Sequence, residues 1–465
     1  MGQIPFFHVK TVYMEKIAFK PSLAYKVLYK WVRYVFGRLY YRRTYCLHQE
    51  LIPPQGTPVI LISNHQNSLL DAFQMLFGTG NNFLHFISRA DVFRKKPIAR
   101  LLYGLGLIPI YRVRDGVGKI KDNLQMFSQV EEYINDGGML AIYPEATHMD
   151  GNWIGRFYLS YVRIGFETAE RSHFEKEVFI LPSTLYYEDF SALRSQCLID
   201  FSEPFSLRPF YEMYQANPRQ AEAEVNEIIR HRVQEKMLDV KDTEHYQQVM
   251  DFIRYSEEAV AAERQEVDMK ELPQALGIRK EIEASLSDLK EKEGERLEQI
   301  YSHTAEYSRM LRKYRISDQA FRHPATTRQT ANSALLYLLL LPFHLIGLLP
   351  HLPIYAITLL ATRKLEDKLM YASIDICIWV LGIPIFYLIY FFLLGAFGSW
   401  LFALIFILLL PVFGRFAHWY HHNFQEDFQR FRANLIRKNR KKSWEKMRRL
   451  REELDKDLES LRNNG

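Results

Sequence analysis

Cysteine is scarce in this chain, and its spacing follows no recognisable pattern. Only Cys46, Cys197 and Cys377 occur among the 465 residues. An odd number of distant cysteines gives no disulfide framework, and their spacing does not fit a metal site. We therefore expect a protein of a reducing compartment with no metal site. As a separate expectation, the chain has no resident cofactor.

The signals of several other protein classes are also missing. The first 20 residues contain three lysines and lack a continuous apolar core, so a secretory signal is not expected. Phe6 stands where N-myristoylation requires Ser or Thr. The net charge of +6 is mildly basic, but no fingerprint of a nucleic-acid-binding module accompanies it. An anionic membrane surface or a phosphorylated ligand suits this charge better than nucleic acid does.

Apolar residues are plentiful but unevenly distributed along the chain. They make up 48% of it, while the mean hydropathy of −0.20 is ordinary for a soluble protein. Residues 372–394 are long enough to cross a bilayer, which takes about 20 residues, and residues 400–413 could return. Residues 334–360 are apolar too, but their three prolines predict a broken or re-entrant segment.

Basic residues beside these apolar segments predict their orientation. Arg363, Lys364 and Lys368 lie in one loop, and the tail of the chain is strongly basic. Positive loops stay in the cytoplasm, which requires an even number of crossings. We expect a multi-pass membrane protein whose residues before these apolar segments lie on the cytoplasmic side, and a bacterial inner membrane is favoured over the endoplasmic reticulum.

Short apolar runs alternate with helical patterns between residues 46 and 250. The predicted strands are 58–63, 83–88, 107–111, 139–143 and 178–186, and the predicted helices are 69–77, 97–104 and 118–135. This alternation predicts an α/β domain with a mixed sheet flanked by helices. A charged helical segment and a C-terminal helical membrane region follow it.

The whole chain divides into five predicted segments. They are a basic amphipathic helical segment (1–45), the α/β domain (46–250), a charged helical segment (251–330), a membrane region (331–417) and a basic amphipathic tail helix (418–465). The first segment suits either a lipid headgroup layer or packing on the α/β domain. The tail suits lipid or self-association, and the charged helices could also join copies of the chain.

A histidine and an aspartate follow the first predicted strand of the α/β domain. Residues 58–63 end in polar residues and then His65, and Asp71 lies in the first turn of the next helix. The carboxylate would hold the imidazole in one tautomer, which leaves the other nitrogen to take a proton from a hydroxyl. The structural alternative is an aspartate that favours the helix dipole and a histidine that satisfies a loop carbonyl.

Two further stretches place polar residues after predicted strands. Lys96 lies in a basic run, and Arg112 ends the segment Gly106–Arg112, where a guanidinium suits phosphate oxygens. A solvated basic edge is the alternative for this stretch. Pro144 ends another strand and is followed by Glu145, Thr147 and His148 at the edge where α/β sheets bind ligands.

Taken in order, these blocks resemble the glycerolipid acyltransferase superfamily, which includes lysophosphatidic acid and glycerol-3-phosphate acyltransferases. That family has Asn-His, four residues and Asp, then Gly-x-Ile-Pro-x-x-Arg, then Pro-Glu-Gly-Thr-Arg, then a proline after a strand. In this sequence the blocks are Asn64-His65…Asp71, Gly106–Arg112, Pro144–His148 and Pro182. The resemblance covers roughly residues 46–200.

The sequence departs from the family pattern at several places. Five residues separate His65 from Asp71, a spacing similar to the fungal branch that acts on glycerol-3-phosphate and dihydroxyacetone phosphate. Ala146 replaces the glycine of the third block, and His148 replaces its arginine. Tyr158–Tyr161 stands where a basic Phe-Lys-x-Gly often follows. These changes leave another lysolipid or an aminolipid open as the acceptor.

The resemblance implies an activity and a set of site residues. His65 would remove a proton from an acceptor hydroxyl, which attacks the thioester of acyl-CoA or acyl carrier protein, while Asp71 orients His65. The acceptor would be glycerol-3-phosphate or a lysophospholipid at a bilayer. A non-catalytic membrane-anchored scaffold is the alternative. The implied substrate-binding residues are Asn64, Lys96, Arg112, Glu145, Thr147 and His148.

Overall fold

An eight-stranded mixed β-sheet forms the centre of the first part of the chain. The computed structural model describes residues 21–80, 83–110, 120–146, 149–190, 192–264, 267–363, 365 and 369–463. The chain divides into two units, Met1–Met237 and Leu238–Gly465, and the sheet belongs to the first. The second unit is helical throughout the segments that the structure assigns to regular elements.

A strand with uniformly buried side chains lies near the middle of the sheet. The strands are β1 (Arg43–Leu47), β2 (Val59–Ser63), β3 (Leu84–Arg89), β4 (Leu107–Ile110), β5 (Met139–Ile142), β6 (Phe179–Tyr187), β7 (Gln196–Phe201) and β8 (Phe205–Ser206). Their order is β1-β7-β6-β2-β5-β3-β4, with β8 beside β6. The buried strand β2 is parallel to β5 and β6, whereas β6 and β7 are antiparallel. The predicted mixed sheet is confirmed, and β2, β5 and β6 end at one edge.

Helices flank this sheet and complete its core. They are α1 (Leu23–Tyr34), α2 (Ser68–Gly78), α3 (Lys96–Gly104), α4 (Ile120–Asn135), α5 (Ser160–Arg171), α6 (Tyr211–Ala216) and α7 (Pro218–Lys236). Val130, Ile164 and Ile229 from three of these helices share one buried cluster with Ile60 and Ile180 of the strands. Because β2 is held by this close packing, the position of the residues that directly follow it is fixed as well.

Predicted strands and helices of this unit agree with the structure within two residues, but three strands, β1, β7 and the two-residue β8, were not predicted. β1 and β7 interrupt their apolar residues with polar ones, and β1 lies at an edge of the sheet, where its side chains are only partly buried. The predicted boundary after residue 45 falls inside β1, so the strand joins residues assigned to the first segment to the domain.

The helix α1 packs on the α/β domain. The hydroxyl of Tyr29 donates to the Gly80 carbonyl oxygen at 2.7 Å, and the ring of Tyr25 meets that of Phe83 at 4.8 Å. On its other side Leu23 and Val27 are exposed. Of the two predictions for this segment, packing on the domain is confirmed, and contact with lipid stays a prediction for the exposed face.

The second unit contains a bundle of charged helices. They are α8 (Tyr246–Ala262), α9 (Leu272–Lys292), α10 (Gly294–Tyr314) and α11 (Asp318–Arg322), joined from the end of the chain by α15 (Lys441–Asn463). His303 lies 3.0 Å from Asp457, and Arg451 donates to the Tyr255 carbonyl oxygen at 2.8 Å. The apolar stripe of α15 is buried against this bundle, so the tail packs within its own chain. The predicted boundary at residue 250 falls inside the continuous helix α8.

Three long apolar helices complete the second unit. α12 (Thr327–Thr362), α13 (Leu369–Phe397) and α14 (Trp400–Asn439) are each long and apolar enough to cross a membrane. The predicted broken or re-entrant segment is wrong, because α12 is one helix with three prolines inside. An internal proline removes one hydrogen bond and kinks a helix, and apolar helices tolerate it. The predicted boundary at residue 417 likewise falls inside α14.

Candidate active site

A histidine and an aspartate meet at the carboxyl end of β2. His65 lies two residues beyond this strand, and Asp71 lies in the first turn of α2. Nδ1 of His65 is 2.7 Å from Oδ2 of Asp71. The carboxylate is completely buried, whereas 17% of the His65 side chain is exposed. The structure therefore brings the two predicted catalytic residues together, with the imidazole on the solvent side of the pair.

Four hydrogen bonds hold the Asp71 carboxylate. Besides His65, its Oδ2 atom accepts from the backbone N–H groups of Gln66 at 2.8 Å and Asn67 at 2.7 Å. Its Oδ1 atom accepts from the hydroxyl of Tyr187 at 2.6 Å. A carboxylate only accepts hydrogen bonds, so His65 carries its proton on Nδ1 and its base character falls to Nε2.

The sharp turn before α2 explains why the histidine and aspartate meet. Ser68 begins the helix with a left-handed backbone, φ 43°. Asn67 precedes it, but the Asn67 side chain donates to the Phe190 carbonyl oxygen at 2.8 Å instead of capping the helix. The Asp71 carboxylate reaches back to the N–H groups of the turn, so one side chain both closes the turn and contacts His65.

Glu145 holds the backbone of the histidine from the neighbouring strand. It follows β5, and its Oε2 accepts from the His65 N–H at 3.1 Å while its Oε1 accepts from the Gly155 N–H at 3.0 Å. The Met149 N–H donates to the His65 carbonyl oxygen at 2.8 Å. Burial raises the pKa of Glu145 to about 7, although both N–H groups act in the opposite direction. Both Glu145 oxygens therefore bind backbone at the site.

An aromatic ring lies against the imidazole. The ring of Tyr143 stacks on that of His65, with centroids 4.1 Å apart and planes 13° apart. Tyr143 directly follows β5, which pairs with β2. The stacking restricts the rotation of the His65 ring, which the Asp71 bond already holds in its plane.

Asn64 connects the histidine's strand to β6. Its Nδ2 donates to the Leu185 carbonyl oxygen at 3.0 Å, and its Oδ1 accepts from the Leu185 N–H at 2.7 Å. The side chain is fully buried. In the structure Asn64 thus binds the β6 backbone next to the site, and its predicted contact with substrate stays a prediction.

The remaining predicted binding residues lie further away or outside the described part of the chain. Lys96 begins α3, which connects β3 to the edge strand β4, and it is exposed. The predicted residues Arg112, Thr147 and His148 are outside the described residues. Ala146, beside them, has a left-handed backbone with φ 58°, which favours the glycine that the family pattern has there.

Sequence reasoning missed two aromatic residues of the site. Tyr187 lies at the end of β6, 116 residues from Asp71. Tyr143 precedes the Pro-Glu pair that was identified. The available signal was topological: β5 and β6 both flank β2, so residues at their carboxyl ends come close to His65.

Comparison with known proteins finds a family match to a segment that contains the His65–Asp71 pair. A family model described as Acyltransferase matches residues 44–185. A solved structure, the 1-acyl-sn-glycerophosphate (LPA) acyltransferase PlsC from Thermotoga maritima, is similar over 45% of this chain and 78% of that chain, with 17% identity and a TM-score of 0.33. No curated protein matches the chain. The match shows that residues 44–185, which include His65, Asp71 and Glu145, are similar to the Acyltransferase family.

Proposed function

We propose that this chain is a membrane-bound O-acyltransferase of phospholipid synthesis. It moves a fatty acyl group from acyl-CoA or acyl carrier protein to a hydroxyl of glycerol-3-phosphate or a lysophospholipid. The observation that carries this proposal is the 2.7 Å pair of His65 and Asp71, at the carboxyl end of the central strand of a segment that matches the Acyltransferase family.

The site residues support a direct transfer between the two substrates. Nε2 of His65 takes the proton of the acceptor hydroxyl as its oxygen attacks the thioester carbonyl. The carbon–sulfur bond then breaks, and the leaving thiolate receives the proton from the imidazolium, which Asp71 stabilises. Base catalysis of this kind contributes about 10²–10⁴-fold in rate, and holding both substrates in place supplies much of the remainder.

The acceptor would be held by its polar head group. We assign this role to Arg112, Thr147, His148 and Lys96, because guanidinium, ammonium and hydroxyl groups suit a phosphate. Glu145 and Asn64 would support the His65 backbone and β2 through their observed bonds. Because Ala146 and His148 depart from the family pattern, another lysolipid or an aminolipid is the second acceptor class.

The long helices would anchor the enzyme with both of their outer ends on one side of a membrane. α12 and α14 are antiparallel: the Ala325 N–H donates to the Arg430 carbonyl oxygen at 3.1 Å, and Tyr420 donates to the Tyr337 carbonyl oxygen at 2.9 Å. An odd number of crossings would separate these ends. We therefore propose two crossings, by α12 and α14, with both ends on the cytoplasmic side of a bacterial inner membrane. This topology departs from the sequence-based prediction in one respect, because it places Arg363, at the far end of α12, on the opposite side from the cytoplasm.

α13 would then lie in the bilayer without a full crossing. Thr358 of α12 bonds Asp375, and eight residues earlier the Pro350 carbonyl oxygen accepts from Tyr390. At 1.5 Å per residue, Asp375 and Tyr390 are about 22 Å apart along the axis of α13, whereas their partners Thr358 and Pro350 are only about 12 Å apart along α12. α13 crosses α12 obliquely, which is consistent with this assignment.

An acyl-transfer assay tests the proposed function. Membranes containing the protein are incubated with labelled acyl-CoA or acyl carrier protein and a panel of hydroxyl and amine acceptors. We expect transfer to one acceptor class, and we expect His65→Ala to abolish it without loss of folded protein. His231→Ala, on the exposed face of α7, is the matched control and retains activity. Retained transfer by His65→Ala would contradict the mechanism, and absence of transfer by the wild type would leave the scaffold reading.

A further inference from the structure

The Asp71 carboxylate has a partner that the transfer scheme does not use. Tyr187 donates its hydroxyl to Oδ1 at 2.6 Å, the shortest of the four bonds to this carboxylate. We propose, on the basis of the proposed function, that Tyr187 is a positioning residue. It holds the Asp71 carboxylate in the plane that orients the His65 ring. It also limits the negative charge that the carboxylate presents to the imidazole.

The two oxygens of Asp71 are held in different ways. Oδ2 accepts three N–H donors, from His65, Gln66 and Asn67. Among the residues that the structure describes, Oδ1 accepts from Tyr187 alone. One fixed oxygen does not determine the plane of a carboxylate, whereas a bond at the second oxygen does. Tyr187 is therefore the side chain that completes the geometry of the pair.

Tyr187 is itself rigidly placed. It is the last residue of β6, is only 2% exposed, and pairs with Cys197 of β7. Its ring lies 6.2 Å from that of Tyr41 and 5.8 Å from that of Phe190. Burial raises the pKa of Tyr187 well above its usual value of 10, so the phenol keeps its proton and remains a donor. A donor on a buried strand can hold Asp71 without moving.

The hydroxyl also withdraws charge from the carboxylate. Without it, more negative charge faces His65, the imidazolium is better stabilised, and the base becomes neutral only at higher pH. Among the residues that the structure describes, the other titratable groups around the pair are Glu145 and Tyr143 after β5, Tyr41 beside Tyr187, and Cys197 on β7. A change confined to the Tyr187 hydroxyl leaves these groups in place, so a shift of the pH profile reports on Tyr187.

The test is Tyr187→Phe, which keeps the ring and removes the hydroxyl. We expect kcat to fall about tenfold, KM for the acyl donor to stay unchanged, and the acid limb of the kcat/KM profile to move to higher pH. Tyr41→Phe is the matched control, because the Tyr41 hydroxyl is buried and has no hydrogen-bond partner among the described residues. It should change neither quantity.

A second variant tests the opposite direction. Incorporation of 3-fluorotyrosine at position 187 keeps the ring and the hydroxyl but makes the phenol a stronger donor, so the acid limb should move to lower pH. It also provides the answer if Tyr187→Phe does not accumulate as folded protein. An unchanged profile, or a loss of rate without a shift of the limb, overturns the positioning role while the acyltransferase stands. Absence of transfer by the wild type instead overturns the proposed function and this inference with it.

Discussion

The two units of this chain differ in which side chains they bury and which they expose. The first unit buries Asn64, Asp71 and Glu145 completely or nearly so at the ends of its central strands. The second leaves leucines of its long helices in the open, with Leu359 of α12 71% exposed and Leu408 of α14 67% exposed. Exposed apolar area costs about 25 cal/mol per Å² in water, so this surface of the second unit suits a lipid environment. The buried polar groups named in the first unit each make hydrogen bonds, as burial requires.

The second unit also contains buried polar groups, but they serve a different purpose. Asp375 of α13 accepts from Thr358 of α12 and from Trp379, each at 3.0 Å. His351 of α12 lies 2.9 Å from the Tyr387 hydroxyl. The bonds of Thr358 with Asp375 and of His351 with Tyr387 connect α12 to α13, which is how polar residues stabilise contacts between apolar helices. An aspartate therefore contacts a histidine after β2 in the first unit and joins two helices in the second.

The largest expected effect concerns the topology of the second unit. In a cysteine-free background, Arg328→Cys and Asn439→Cys should react completely with an impermeant maleimide from one side of the membrane. Arg363→Cys should react only from the other side, because α12 and α14 are antiparallel and, in the proposed topology, are the two helices that cross the bilayer. The measurement is labelling in vesicles of both orientations. Reaction of positions 328 and 439 from opposite sides would show three crossings instead.

The next effect compares one substitution in both units. Asp71→Asn should lower kcat by about 10²–10⁴-fold, because an amide can accept a bond from His65 but cannot stabilise the imidazolium. Asp375→Asn is the matched control, since an amide oxygen still accepts from Thr358 and Trp379. Its kcat in membranes should remain within a factor of two or so of the wild type. Equal losses for both variants would mean that Asp71 is structural.

A smaller effect follows from the burial of Glu145. Its pKa rises from 4.5 to about 7 in the folded chain, so the native state binds more protons than the unfolded state between these values. The contribution of Glu145 to stability is fully present below pH 4.5 and is lost as the pH rises to 7, by at most about 3 kcal/mol. Melting temperatures over this range should fall more steeply for the wild type than for Glu145→Gln. Glu212→Gln, an exposed change on α6, should keep the wild-type slope.

Local patterns accounted for much of the first unit and for the central pair of its site. β2 is a short β-branched run, and the residues between His65 and Asp71 form one turn, so both the strand and the pair could be inferred from adjacent sequence. Tyr187 and Tyr143 could not, because their contact with the pair depends on the order of strands in the sheet. That order pairs Val59 of β2 with Met139 of β5 and with Phe179 of β6, residues that are distant in sequence.

The second unit was harder to predict because its determinants are contacts between helices. The prolines of α12 predicted a break, yet Gly347 and Gly414 allow α12 and α14 to approach so closely that an added Cβ at Gly347 would lie 2.0 Å from the Phe413 carbonyl oxygen. Such close contacts stabilise the proline-containing helix α12 as one element. Likewise the basic tail carried an apolar stripe whose partner, the bundle of α8, α9 and α10, was not evident from the tail alone.

The smallest predicted effect lies at the departure from the family pattern. Ala146 has φ 58°, a conformation that glycine adopts without strain and that costs an L-residue about 1 kcal/mol. Ala146→Gly should therefore stabilise the first unit, by at most about 0.6 kcal/mol, because the greater flexibility of glycine in the unfolded chain offsets about 0.4–1 kcal/mol of the relieved strain. Ala141→Gly, in the buried strand β5, is the control and should destabilise by about 1 kcal/mol or more. Denaturant titration measures both changes, and destabilisation by Ala146→Gly would show that the alanine side chain contributes packing that outweighs the backbone strain.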